Sequence, residues 1–159
     1  MSREIERKFL VERLPDDLGE AWEAQHVEQG YVAITDDAEV RVRRRMGTAT
    51  LTIKSSPALS RVEVEVELDP ERFAALWPLT EGRRVVKTRH TRRGDDGVLL
   101  ELDVYEDALD GLATLEVEFA DEEAAHAWAA PSWAGDDVSG DPRYVNQALA
   151  TAGRPAPGT

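Results

Sequence analysis

The sequence predicts an α+β domain built mainly from antiparallel strands, on three observations. Charged and apolar residues alternate with a period of two along most of the chain. Glycine-containing turns separate several of these runs, and three short, proline- or acid-capped segments read as helices. In the first run Glu4, Glu6 and Lys8 share one face, with Ile5 and Arg7 opposite. Arg41, Arg43 and Arg45 then oppose Val40 and Val42. Arg45-Met46-Gly47-Thr48 reads as a hairpin loop into a strand where Thr50, Thr52 and Lys54 oppose Leu51 and Ile53. The cleanest alternation sets Arg61, Glu63, Glu65 and Glu67 against Val62, Val64, Val66 and Leu68.

Asp69-Pro70-Glu71 supplies an N-cap and an N1 proline for a short helix through Phe73, Leu76 and Trp77. Strand pattern resumes at Lys87 and Arg89, and Gly94-Asp95-Asp96-Gly97 reads as the next hairpin loop. Glu101 and Asp103 then oppose Leu100, Leu102 and Val104, and Glu116 and Glu118 oppose Leu115, Val117 and Phe119. Asp121-Glu122-Glu123 begins a second helix, ended by Pro131. Asp141-Pro142-Arg143 begins a third, carrying Tyr144, Val145, Ala148 and Leu149. Residues 1–152 are expected to form one domain and 153–159 a flexible tail. Two architectures fit this pattern equally: a sheet with its charged face in water, laced by cross-strand ion pairs, or a barrel with charges inside and helices outside.

At 159 residues, 42% apolar and 32% charged, the chain is globular in composition and long enough to bury a core. The net charge of −13 repels nucleic acid and anionic lipid at long range, so neither is an expected partner. No stretch resembles a membrane span or a signal peptide, and cysteine is absent, which removes disulfides, thiolate zinc sites and thiol nucleophiles. The cytoplasm is the expected compartment.

Only three of the cations are lysines, Lys8, Lys54 and Lys87, and each lies in an alternating run. An ammonium contacts phosphate oxygens as a point charge and can lose a proton when its pKa is lowered, which arginine does poorly. If the charged faces converge, they gather Lys8, Arg41, Arg43, Lys54, Arg61, Lys87 and Arg89 with Glu4, Glu6, Glu63, Glu65, Glu101, Asp103, Glu116 and Glu118. A ligand that needs both signs is a metal-bound polyphosphate, with Mg²⁺ or Mn²⁺ held by carboxylates. The plain alternative for Glu63, Glu65 and Glu101 is that they neutralise neighbouring arginines. His26, His90 and His126 lack metal-ligand spacing, and no glycine-rich phosphate loop or Ser-His-Asp set is present.

Glu4-Ile5-Glu6-Arg7-Lys8 resembles the ExExK signature of the CYTH family, the triphosphate tunnel metalloenzymes. The resemblance continues in order through Gln29-Gly30-Tyr31, Arg41-Val42-Arg43, Thr52-Ile53-Lys54, Leu59-Ser60-Arg61-Val62-Glu63-Val64-Glu65, Lys87-Thr88-Arg89, Glu101-Leu102-Asp103, Glu116-Val117-Glu118 and Arg143-Tyr144-Val145-Asn146. It covers about residues 2–150. It implies an eight-stranded antiparallel β-barrel, the triphosphate tunnel fold, with helices packed outside.

The same resemblance implies that Glu4, Glu6, Glu116 and Glu118 hold a divalent ion, with Asp103 helping to hold a second one. Lys8, Arg41, Arg43, Lys54, Arg61, Lys87 and Arg89 would bind the triphosphate, with Glu63, Glu65 and Glu101 orienting these cations and any attacking water. Lys87 or Lys8 is the expected base. Inorganic tripolyphosphate is the expected substrate, because few aromatic side chains near the strands could stack a base. Thiamine or nucleoside triphosphates, an adenylyl cyclase reaction, or a non-catalytic polyphosphate-binding module are the alternatives. The molecule is expected to act as a monomer or homodimer. Two departures fall near the implied tunnel mouth: Glu106-Asp107 replaces a common glycine, and His90 a common tyrosine.

Overall fold

A computed structural model of the chain describes residues 5–55 and 62–156. Within them lie eight strands: β1 (Ile5–Leu10), β2 (Glu23–Ile34), β3 (Ala38–Arg45), β4 (Thr48–Ser55), β5 (Glu63–Leu68), β6 (Arg84–Arg93), β7 (Leu99–Tyr105) and β8 (Ala113–Phe119). They form one antiparallel sheet in the order β1-β8-β7-β6-β2-β3-β4-β5. Each expected charged row shares one face: Lys8 stands opposite Glu116, Arg43 opposite Thr50, Thr52 opposite Glu65 and Arg89 opposite Asp103.

β2, the longest strand and a central one, is the element that alternation does not mark. Its charged-face residues are Val27, Gln29 and Tyr31, paired with Arg45, Arg43 and Arg41, and a bulge follows Tyr31. Gly30, on the other face, is required by packing. A Cβ there would sit 2.5 Å from the side chain of Thr80, which is itself fully buried. Gly30→Ala is expected to cost about 1–3 kcal/mol through overpacking, read as a lower melting temperature with the oligomeric state unchanged.

The hairpin loop at Met46-Gly47 turns with positive φ at both residues, 52° and 77°, as a tight two-residue connection needs. Helix α1 (Pro70–Leu76) is capped by Asp69, whose side chain accepts from the Arg72 amide at 2.8 Å. It places Phe73 on Val42 and Ala49. Helix α2 (Glu122–Ala127), capped by Asp121, covers Phe9, Leu115, Val117 and Phe119. It ends at Ala127, short of Pro131. Arg7, which points into this apolar face, lies 4.8 Å over the Phe9 ring and donates to the Ala125 carbonyl at 2.9 Å.

The third helix corrects two expectations. The chain makes a 3-10 turn at Pro142–Tyr144, is extended at Val145, and only then forms α3 (Asn146–Ala152). This helix does not pack outside the charged face. Leu149, Ala150 and Tyr144 cover Tyr31, Val85 and Tyr105, charged-face residues at one end of the sheet. That end of the face is apolar, so a helix can bury it.

The eight-strand ladder is not closed by hydrogen bonds among the described residues: β1 and β5 are its two ends. The free edge of β1 is occupied by residues 135–139. Gly135 donates to the Leu10 carbonyl (2.7 Å), Leu10 to Asp136 (2.8 Å) and Val138 to Lys8 (2.8 Å). β5 has Val64 and Val66 exposed as well as its glutamates.

Candidate active site

The charged face divides into two electrostatic halves. On β1 and β8, Glu6 stands opposite Glu118 and Lys8 opposite Glu116, with Glu101 next to Glu116 on β7. Glu6 has its pKa raised, first by partial burial and then by the charge of Glu116, with Glu118 and Glu101 adding and Lys8 opposing. A carboxylate whose pKa is raised by acidic neighbours marks a place where a hard cation could be held. In the protein without metal, the stability from a protonated Glu6 is present below about pH 4.5. It is lost as pH rises through the higher folded pKa. Glu6→Gln is therefore expected to raise the melting temperature at neutral pH in EDTA, and to lose that advantage in acid.

The other half lies on β3, where Arg41 and Arg43 are partly buried and Arg45 is exposed. The Nε atoms of Arg41 and Arg43 are buried without a hydrogen-bond partner among the described residues. Arg43 is held below ordinary arginine basicity, first by burial and then by Arg45, Arg89 and Arg41. A guanidinium pressed by three others is suited to holding an anion. Thr52 and Lys54 continue this surface along β4, with Thr52 Oγ1 3.4 Å from Glu65 and Lys54 Nζ 3.9 Å from Glu63.

Between the halves runs a buried ion network on β6 and β7. Lys87 Nζ lies 2.8 Å from Asp103 Oδ2, and the two side chains are 3% and 0% exposed. Arg89 sends Nε to Asp103 Oδ1 (2.8 Å), Nη2 to Asp103 Oδ2 (3.0 Å) and to Glu116 (3.3 Å), and Nη1 to Glu101 (2.8 Å). Burial works to raise the Asp103 pKa, but Lys87 and Arg89 outweigh it and hold the carboxyl below its usual range. Burial lowers that of Lys87, against the pull of Asp103. For the Arg89 guanidinium these carboxylates outweigh burial and raise its basicity.

Lys8 completes the link: Nζ lies 3.2 Å from Glu116 Oε1 and donates to the Tyr144 carbonyl at 2.6 Å. Glu6, Lys8, Glu116, Tyr144 and Asn146 line one cavity of about 470 Å³. A second cavity of about 550 Å³, beside Arg84, Glu106 and Leu149, contains none of these site residues.

The structure thus gathers Glu6, Lys8, Arg41, Arg43, Lys54, Glu63, Glu65, Lys87, Arg89, Asp103, Glu116 and Glu118 on one face. Glu4 and Arg61 lie outside the described residues. Gln29, Tyr31 and Asn146 belong to the same surface and carried no role in the sequence reading. Gln29 Nε2 donates to the Tyr31 hydroxyl at 3.2 Å, and Asn146 Oδ1 is buried without a partner among the described residues. The signal for the first two was their spacing: once β2 is recognised, they fall opposite Arg43 and Arg41. No three described His, Asp or Glu side chains are gathered closely enough to hold a metal ion together. Glu6, Glu116 and Glu118 nonetheless fit a divalent ion by donor type, with the charges of Glu116 and Glu118 both acting on Glu6. No helix among the described residues is long and apolar enough to cross a membrane.

A sequence model of the CYTH domain matches residues 2–145. An inorganic triphosphatase of Nitrosomonas europaea is 48% identical over 148 residues, 92% of this chain and 96% of that protein. One from Acetivibrio thermocellus is 32% identical over 154 residues, covering 94% of each. Among solved structures, a crystal structure of an inorganic triphosphatase superposes with a TM-score of 0.83 at 45% identity, covering 99% of both chains.

Proposed function

We propose, for a chain that belongs to the CYTH domain family, that it is a metal-dependent hydrolase of triphosphates acting on inorganic tripolyphosphate. The observation that carries the substrate class is the pair of buried Nε atoms on Arg41 and Arg43 that have no partner among the described residues, where Arg45, Arg89 and Arg41 press on Arg43. Tripolyphosphate is favoured over a nucleotide because the tyrosines on this face are buried. Tyr31 and Tyr105 are each 1% exposed, leaving neither ring free to stack on a base.

In this reading Arg41, Arg43, Lys54 and Arg89 hold the phosphate oxygens, and Arg61 is given the same role. Glu4, Glu6, Glu116 and Glu118 hold Mg²⁺ or Mn²⁺. When bound, the ion supplies charge neutralisation to the phosphoryl oxygens. Water attacks the terminal phosphorus as the bridging P–O bond breaks, giving orthophosphate and pyrophosphate. Catalysis then rests on position and electrostatics more than on covalent chemistry. Lys8 is the better placed of the two expected bases, since it lines the cavity with Glu6 and Glu116, whereas Lys87 is 3% exposed. Glu63 and Glu65 orient Lys54 and Thr52 from the edge strand.

Curling of the sheet into a tunnel belongs to the same proposal. With residues 135–139 on the edge of β1, closure would bring β5 against that segment and not against β1 itself. The setting is a cytoplasmic monomer or homodimer.

Phosphate release from tripolyphosphate, ATP and thiamine triphosphate, each with Mg²⁺, Mn²⁺ or EDTA, tests the reading. Metal-dependent release from tripolyphosphate far above the other two is expected. Binding of all three without turnover would replace the enzyme by a binding module.

A further inference from the structure

We infer that Asp103 is a positioning residue for Arg89, steadied by Lys87, and not a ligand of the metal ion. The inference rests on the reading above for what Arg89 binds. Three of the roughly four lone-pair positions of a carboxylate are already taken on Asp103: Oδ1 by Arg89 Nε, and Oδ2 by Lys87 Nζ and Arg89 Nη2. The side chain has no exposed surface, so no hydrated ion reaches it while the strands keep their register. A divalent ion at Asp103 would also sit against two cations in a medium of low dielectric, where such repulsion is strong.

Lys87 stands in the same position. Its ammonium is bonded to Asp103 and lies 5.5 Å from the Tyr105 ring centroid, away from solvent. The pair bridges the β6–β7 ladder, where Arg89 is directly opposite Asp103. Fork-to-carboxylate bonding fixes the plane of a guanidinium as well as its place. Arg89 emerges from that clamp 14% exposed, with its charge pressing on Arg43. Asp103 therefore acts on the phosphate site through Arg89, as the support of a contacting group.

A double-mutant cycle on the full chain tests this, using Asp103→Asn and Arg89→Gln singly and together. Two readouts are needed: Mn²⁺ binding by calorimetry without substrate, and KM and kcat for tripolyphosphate. Asp103→Asn should leave the Mn²⁺ stoichiometry unchanged and its Kd within about threefold, while KM rises about tenfold. That rise should vanish when Arg89 is already glutamine, because coupled groups do not add. Loss of one Mn²⁺ equivalent, a Kd weakened tenfold or more in both backgrounds, or an unchanged KM would each overturn the inference.

Should Asp103→Asn not fold, Lys87→Met with Asp103→Leu removes the buried pair as a unit, a replacement that proteins often tolerate. It should show the same pattern. If the wild-type protein turns over no triphosphate, affinity for tripolyphosphate in EDTA replaces KM. The proposed hydrolysis then fails while the coupling of Asp103 to Arg89 is still measured.

Discussion

Replacing Arg43 with glutamine is expected to lower kcat/KM for tripolyphosphate by about two to three orders of magnitude, the usual cost of losing one preorganised stabiliser of phosphoryl charge. The same change should leave the protein as stable or make it more so. Arg43 is partly buried, has no carboxylate within ion-pair distance among the described residues, and is pressed by Arg45, Arg89 and Arg41. Deleting its charge relieves repulsion in the empty molecule and removes attraction only in the occupied one. Loss of activity with gain of stability marks a residue placed for function. Arg44 is the control, since its guanidinium pairs with Glu28 at 2.6 Å on the opposite face. Arg44→Gln should keep full activity. Steady-state phosphate release and thermal melts on the two variants decide it; full activity in Arg43→Gln would remove the arginine cluster from the phosphate site.

Leu149→Ala is expected to cost about 2–5 kcal/mol, the range for removing a buried leucine whose neighbours cannot collapse into the gap. For a chain of this size each kcal/mol moves the melting temperature by about 2–4 °C, so a fall of roughly 4–20 °C follows. Leu149 is 1% exposed and packs with Tyr31, Val85 and Tyr105, which are held by the sheet, and with Leu109 and Leu112 of the β7–β8 connection. A thermal melt with and without tripolyphosphate checks this. Saturating ligand at a hundred times its dissociation constant should restore about 2.7 kcal/mol.

Strands with a charge at every second position were legible because burial of one face forces the alternation: Arg41 and Arg43, Glu63 and Glu65, and Glu116 and Glu118 all declared their face. β2 was not, because its charged-face positions hold Val27, Gln29 and Tyr31 and lie over a partly apolar floor. Only the resemblance of Gln29-Gly30-Tyr31 pointed there. The caps Asp69 and Asp121 were legible because a short acid accepting an exposed amide is a local device. Where α3 packs was not, since the seating of Leu149 depends on Tyr31 and Tyr105, distant in sequence.

In the site, residue types named a chemistry but not who was already engaged. Lys87 and Asp103 look alike in sequence to Lys54 and Glu118. They differ in burial, which local pattern does not encode. The two copies of the alternation with the most regular sequence also met different fates. β8 buries Leu115 and Val117 completely, while β5 leaves Val64 and Val66 half in water.

The strap of residues 135–139 along β1 has a consequence for how the molecule comes into being. Lys8 and Ser139, bonded in the native structure, are 131 positions apart, and the other neighbour of β1 is β8. During synthesis β1 therefore emerges ahead of the other seven strands and waits for its neighbours until β8 and residues 135–139 have been made. Contacts this distant carry a large loop-closure entropy and slow the search. The hairpins β3–β4 and β6–β7 can form early from local pairing, whereas the acidic strand acquires its neighbours only once β8 and residues 135–139 are made. The half of the site with Glu6 and Lys8 is thus the last to assemble, and a chain stalled before residue 135 has the arginine strand but not the strap that secures its counterpart.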